Sequence, residues 1–349
     1  MNRTISTRIA AATAIAVATG LVLAGCSTSL GGSKPSDSAS ADWKPTKSVD
    51  LYVGYDPGGS GDPVARELAL LMQDDWGVSV NVQNRSGASG AEATTQVLQS
   101  KPDGYSIAVA PASQLTVTPL ISTDALPFHS TKDWTTLSGL LDQQNGIMVR
   151  PQSGWKDIKD FIKAAKAKPN QLTVGVPSVS GANAMAVASL EKVANIKVKI
   201  VPFSGGSGES SVALLGGQID AICATLSGQL GLLQAGQLMS LGHSGDKPYT
   251  AAKSTPLSKQ GYAITGLANT VYYVYGPKGM KANVADGIES EIKKVQASTA
   301  YKTWLKTNSY NAHTVYGADA SKELDQAEKD AKEGVQLLTD AGLNLTQHK

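Results

Sequence analysis

The sequence predicts an α/β protein of two lobes enclosing a cleft, and three observations lead there. Strand and helix signals alternate as β-α-β-α-β between Val49 and Ala110, which implies parallel strands joined by crossover helices. The same alternation restarts between Leu172 and Ala224. A later strand, Val271–Tyr275, then brings the chain back to the first unit.

Each element has its own signal. Val49–Val53 is a short apolar strand, followed by the loop Gly54–Gly61. Asp62 reads as a helix cap and Pro63 suits the first helical position, with Val64, Leu68 and Leu71 repeating behind them. Gly77 ends that helix, and Val78–Val82 alternates like a half-buried strand. The glycine-rich loop Asn84–Gly90 leads into a helix ending near Ser100. Lys101–Gly104 then turns into the strand Tyr105–Ala110. In the second unit, Leu172–Val176 is a strand, and Ser180 or Gly181 opens a helix to about Val193. Lys197–Pro202 and Gln218–Ala224 are strands on either side of a helix that follows Gly205–Glu209. Helical segments near 283–297, 300–307 and 320–341 complete the chain.

Gly58-Gly59-Ser60-Gly61-Asp62 and Gly205-Gly206-Ser207-Gly208-Glu209 are nearly the same five residues, each between a strand and a helix. One reading makes both ordinary tight turns with an acidic first helical turn, which the helix dipole favours. The other has two helix N-termini, their amides bared by glycine, facing an anion across a cleft. Spacing alone leaves both open.

The N-terminus carries Arg3 and Arg8, then an apolar stretch from Ile9 to Leu23, then Leu23-Ala24-Gly25-Cys26. This is the layout of a secretory signal ending in a lipobox, with residues 1–25 removed and Cys26 lipidated. The stretch is shorter than the roughly 20 residues that span a bilayer, so a tether is expected rather than an uncleaved anchor. Two acyl chains hold a membrane stably where one does not. Ser27–Thr46, with Leu30 and Trp43 as its sizeable apolar residues, reads as a linker too polar to fold. The globular part is expected to begin near Lys47.

Arg3 and Arg8 are the charged residues of 1–25, so their removal leaves 29 basic against 29 acidic side chains. That balance argues against nucleic acid as a partner. The remaining length suits two domains. Cys223, within an apolar run, reads as a small buried hydrophobe; with Cys26 lipidated no intrachain disulfide can form. Catalytic signatures are absent from the sequence. His129, His243, His313 and His348 lack metal-ligand spacing, and neither a G-x-S-x-G elbow nor a phosphate or dinucleotide loop occurs.

Five motifs in order resemble those of the tripartite tricarboxylate transporter solute receptors, the Bug family. They are Tyr55–Arg66, Asn84–Gly90, Pro102-Asp103-Gly104-Tyr105, Val201–Gly206 and Leu214–Asp220. The resemblance covers nearly all of the body and implies a type II periplasmic-binding-protein fold whose lobes close on a small organic acid. It implies a carboxylate held by backbone amides and hydroxyls of Gly58, Gly59 and Ser60, with Tyr55 beside them. Ser113 and Gln114 join from the loop after the third strand. The other lobe contributes Ser178, Ser180, Gly181, Asn183, Ser204, Gly205 and Gly206, with Thr225 as a further candidate. Asp62 is then a cap, Arg66 and Arg85 are structural ion-pair partners, Asp103 serves its turn and Asp220 orients a loop. Asp56 departs from the family pattern. Turned inward it implies a ligand that also carries a cationic or hydroxyl group; turned outward it implies nothing.

These readings set the expectations tested below. Lobe 1 comprises 47–145 plus 270–349 and lobe 2 comprises 146–269, after a signal (1–25) and a lipidated linker (26–46). Hinges lie near Asn145–Pro151 and Leu267–Val271. The expected partners are a small carboxylate, integral-membrane transporter subunits and, through Cys26, the extracytoplasmic face of the bacterial cytoplasmic membrane. The expected protein is a monomer without cofactor, metal or catalysis. An envelope-anchored hydrolase, or a receptor for an ATP-driven importer or sensor, is the alternative.

Overall fold

The computed structural model describes residues 43–57, 61–122, 126–203, 206–264, 266–343 and 345. The expected signal peptide, Cys26 and most of the linker lie outside the described residues, as do Gly58, Gly59, Ser60, Ser204 and Gly205.

The first domain opens with β1 (Val49–Val53), α1 (Asp62–Trp76), β2 (Val80–Asn84), α2 (Ala91–Leu98) and β3 (Ser106–Pro111). β1 lies between β2 and β3, parallel to both. With neighbours on each side and helices over both faces, its Val49, Leu51 and Val53 are fully buried. α1 buries Val64, Ala65, Leu68, Ala69, Met72 and Trp76, a stripe at helical spacing, and Gly77 closes it in the left-handed region. The expected cap is corrected. Gly61 holds the N-cap position, and Asp62, one residue into the helix, is buried where it accepts from Arg66 Nε at 2.9 Å and Asn84 Nδ2 at 2.9 Å.

After β3 the chain forms two short helices, α3 (Ala112–Thr116) and α4 (Thr118–Ile121), then the long β4 (Trp134–Gln143). A single residue, Gln144, separates β4 from β5 (Asn145–Val149), which belongs to the second sheet. There follow α5 (Ile158–Ala167), β6 (Thr173–Val176), α6 (Ala182–Ala194), β7 (Lys199–Pro202), α7 (Gly206–Leu215), β8 (Ala221–Thr225), α8 (Leu230–Gln234) and β9 (Met239–His243). The second sheet runs β7-β6-β8-β5-β9, parallel across β7, β6 and β8 and antiparallel beyond. Asp220 accepts from the Thr173 amide at 2.8 Å and its hydroxyl at 2.7 Å, tying the start of β6 to β8.

The chain re-enters the first sheet as β10 (Thr270–Pro277), antiparallel between β3 and β4. α9 (Ala282–Ala297), α10 (Thr299–Thr307), β11 (Asn311–Ala312) and α11 (Gly317–Asp340) finish the molecule. The first sheet reads β11-β4-β10-β3-β1-β2.

α11 belongs to both halves. Ala320 and Leu324 pack with Phe128, Trp134, Tyr273 and Tyr275, whereas Ala331, Leu337 and Leu338 pack in the core that holds Phe161, Val174 and Met185. Burying such a leucine stabilises the fold by about 1.5–3 kcal/mol, so the helix is fastened at each end. The folded body also begins earlier than Lys47, because Trp43 packs against Trp76 and Tyr105.

Candidate functional site

The parallel strands of both domains end in the segments that the sequence marks. β1 runs into Tyr55–Pro57, β3 into Ser113 and Gln114, β6 into Ser178–Gly181, β7 toward Gly206, and β8 ends at Thr225. Ligands of open parallel sheets bind outside the carboxyl ends of the strands, where helix N-termini collect.

In the first domain, Gln114 is buried; its Nε2 donates to Gly90 O at 2.9 Å and to Thr94 Oγ1 at 3.1 Å. Thr94 Oγ1 is in turn 2.9 Å from the Tyr275 hydroxyl, whose pKa is pushed up by burial. The amide sits in a space that only glycine leaves: Gly90 has φ +87°, and a Cβ there would fall 2.2 Å from Gln114 Oε1. Ser113 is buried beside it. Burial, then the neighbouring Tyr272 and Tyr275, push the Tyr55 phenol well above its ordinary range. Asp56 is exposed and accepts from Ser86 Oγ at 2.5 Å. Its carboxylate is turned to the loop, which removes the reason to require a cationic ligand. Arg66 is held by Asp62 at 2.9 Å, as expected of a structural pair; Arg85 is exposed and forms no ion pair among the described residues.

In the second domain, Gly181 caps α6 without a side-chain bond, so among the described residues no cap side chain takes up the first-turn amides at the dipole's positive end. Ser180 lies just ahead of them, buried, with its amide donating to Ser178 Oγ at 3.3 Å. Asn183 Nδ2 donates to Asn145 Oδ1 at 2.7 Å. Thr225 pairs with Asn145 across β8 and β5, and Gln229, one turn on, accepts from Ser211 Oγ at 2.7 Å. Every one of these side chains is neutral, a set of hydroxyls and amides. Gly206 has φ +74°.

The two carboxyl ends meet. Thr118 Oγ1, one helical turn past Gln114, is 3.5 Å from Ser180 Oγ. Behind that contact lies a chain of bonds through both crossing segments. Asn145 Nδ2 donates to Ala268 O at 2.6 Å, and the Asn145 amide donates to Ser244 Oγ at 3.0 Å. Ser244 Oγ bonds Asn269, whose Nδ2 donates to Asp142 Oδ2 at 3.1 Å. Burial pushes the Asp142 carboxyl up to about 6.

Thr118, Asn145 and Gln229 were missed in the sequence. Asn145 carried a usable signal, as a polar residue at the expected crossing; Thr118, in a short helix without periodicity, carried none.

Three other features bear on function. His243 Nδ1 is 2.8 Å from Ser254 Oγ, a contact of the kind hydrolases use. Both residues are buried, however, and Nε2 is engaged by Lys247 O at 2.9 Å, so no substrate reaches the serine. Cys223 is fully buried, with its thiol pKa pushed up by burial. A cavity of about 550 Å³ lies at the opposite end of α6, lined by Lys166, Glu191, Lys192, Lys197, Glu333 and Asp340 among others. It touches none of the expected residues, and its six charges balance.

Comparison with known proteins agrees with this architecture. A family model described as "Tripartite tricarboxylate transporter family receptor" matches residues 64–340. Protein BugT of Bordetella pertussis is 26% identical over 262 residues, covering 75% of this chain and 80% of its own. Among solved structures, Rpa4515 of R. palustris with adipate superposes at a TM-score of 0.77 with 19% identity, covering 84% of this chain and 98% of that one. MatC of Rhodopseudomonas palustris with bound malate gives 0.69 at 19% identity, covering 85% and 99%. These structural likenesses are of fold: two α/β domains of a periplasmic binding protein.

Proposed function

Because the chain belongs to the tripartite tricarboxylate transporter receptor family, we propose that it is a lipid-anchored extracytoplasmic protein that captures a small organic carboxylate. It binds without catalysis and delivers the ligand to the membrane subunits of a tripartite tricarboxylate-type transporter. The observation that carries this reading is the meeting of strand carboxyl ends from both domains at Thr118 and Ser180, 3.5 Å apart, among neutral hydroxyls and amides.

Such a set suits a carboxylate. Hydroxyl and amide donors strengthen when the acceptor is ionised, and the α6 N-terminus adds a favourable dipole. The ligand-binding residues on this reading are Tyr55, Gly58, Gly59, Ser60, Ser113, Gln114, Thr118, Ser178, Ser180, Gly181, Ser204, Gly205, Gly206 and Thr225. Asn183 acts through Asn145, and Asp56 stays outside. Two relatives of the same fold carry dicarboxylates, malate and adipate, which favours a ligand of that class here. Residues 43–144 and 270–349 form one lobe and 145–269 the other, with α11 shared, and closure turns on Asn145 and Asn269. Capture shifts the open–closed equilibrium by the ligand's preference for the closed form. Processing at Cys26 supplies the anchor, and the receptor works as a monomer.

The test is a thermal-shift screen of the processed chain against mono-, di- and tricarboxylates, amino acids and aromatic acids. Stabilisation rises with free ligand over its dissociation constant. A shift confined to carboxylates and reduced by Ser180→Ala is expected; no shift with any carboxylate overturns the reading.

A further inference from the structure

The point where the N-terminal segment joins the body is firmly built. The Trp43 ring sits 6.1 Å from Trp76 at 87° and 5.7 Å from Tyr105 at 68°. Gly104, at φ +89°, makes room for it: a Cβ there would lie 2.5 Å from Trp43 Cζ2. The Thr46 amide donates to the Tyr105 hydroxyl at 3.1 Å, and Lys44 reaches Asp75 at 3.8 Å.

This join lies at the amino ends of β1 and β3, where the Asp50 amide bonds Tyr105 O. It is therefore at the pole of the first domain opposite Ser113 and Gln114. β10 runs antiparallel to β3 and delivers Lys278–Lys281 to the same pole.

Lys44, Lys47, Lys101, Lys278 and Lys281 are exposed there. The acids of the pole are largely engaged. Asp75 is bonded by Lys294 at 3.3 Å as well as approached by Lys44; Asp103 accepts from the Tyr105 amide at 3.2 Å. Asp133 accepts from two backbone amides and lies 3.9 Å from Lys278, whereas Asp74 and Asp286 are exposed. Among the described residues Lys47, Lys101 and Lys281 have no acid within ion-pair distance. Lys47 lies instead 4.3 Å over the Tyr105 ring.

We propose that this pole, with Lys47, Lys101 and Lys281 around the Trp43 join, is the face the protein turns toward an anionic lipid surface, leaving the candidate cleft directed away from it. The proposal rests on the lipid-anchor reading of Cys26, since residues 27–42 extend at most about 60 Å. Over that reach a tether keeps the pole near the bilayer, so modest contacts, measurable without the tether only at low ionic strength, set its orientation. Basic side chains near anionic headgroups attract, and the attraction dies within a Debye length.

The experiment uses the processed chain from residue 26 with Cys26→Ser, so the pole is tested without an acyl chain. Co-sedimentation is measured with equimolar phosphatidylglycerol–phosphatidylcholine vesicles and with phosphatidylcholine alone. Binding to the anionic vesicles at low ionic strength is expected, and its loss as salt shortens the Debye length to about 8 Å. The pair Lys101→Glu and Lys281→Glu should weaken it about tenfold or more. The pair Lys159→Glu and Lys163→Glu, on α5 of the second domain, makes the same charge change and should leave it intact. Equal binding to both vesicles, binding to neither, or equal loss in both variant pairs overturns the proposal. The anchor is judged separately by the mass of Cys26 in membrane-extracted full chain, so the two failures are distinguishable.

Discussion

The Asn183 carboxamide donates to Asn145 Oδ1 at 2.7 Å, joining the first turn of α6 to the strand that enters the second sheet. Asn145 is 1% exposed and also donates to Ala268 O, on the returning segment. One side chain thus ties together both crossings and the helix whose amides face the candidate site.

Asn145→Ala should therefore destabilise the protein by about 1–3 kcal/mol, because it strands buried partners. Denaturant unfolding measures this directly. The same variant should also weaken ligand binding despite touching no ligand, by letting the α6 N-terminus drift. Unchanged midpoint and affinity would remove Asn145 from both roles.

The Asp142 carboxyl, raised to about 6 by burial, gives a pH signature. An acid whose folded pKa exceeds its unfolded value binds more protons when folded. Stability therefore falls as pH rises from about 4 to about 6, and stays lower above. Asp142→Asn keeps an acceptor for Asn269 and removes the charge. It should raise stability at pH 7.5 by about 1–3 kcal/mol and flatten that part of the profile. A profile that keeps its slope in the variant would assign the effect to another group, such as Glu291, raised to about 7 by burial and the adjacent Asp75.

Ser180→Ala and Thr118→Val should each weaken carboxylate binding by about 1–3 kcal/mol. Because the two hydroxyls lie 3.5 Å apart, the double variant should lose less than the sum. Calorimetric titration of the four proteins gives the coupling; strict additivity would mean the two do not share a ligand.

Gly90→Ala tests the seat of Gln114. The new methyl would fall 2.2 Å from Gln114 Oε1, at a φ of +87° that alanine disfavours. A loss of about 2 kcal/mol or more is expected in thermal unfolding. Gly77→Ala, also at positive φ but with open space around it, should cost about 1 kcal/mol.

Trp43→Ala should leave the body folded but open Lys44–Ser48 to protease, since the ring holds that segment against Trp76 and Tyr105. Unchanged cleavage kinetics there would show that Thr46 and Lys44 suffice.

Much of the first half was legible because its signals are local. Pro63 and Gly77 bracket α1, and Val49–Val53 lies between turn residues. The stretch Trp134–Val149 was not, since β4 and β5 follow one another with only Gln144 between and belong to different sheets. Its continuous burial reflects covered faces and erases the alternation that marks a half-exposed strand. α5 had a readable start in Asp157, whose carboxylate accepts from the Lys159 and Asp160 amides, and was nevertheless passed over. The site residues legible by motif cluster at strand ends; Asn145 had a signal in its place at the expected crossing, while Thr118 emerges only from tertiary contact.

α11 runs 24 residues, about 36 Å of helix, with buried leucines near either extremity. A rod pinned at both extremities works as an axle. On the proposed two-lobe reading the halves swing around its length, whereas pulling them apart along it drags Leu324 or Leu338 into water. The jaw motion of this receptor should then be a twist with little separation, and small-angle scattering should register a modest change in radius of gyration on ligand capture.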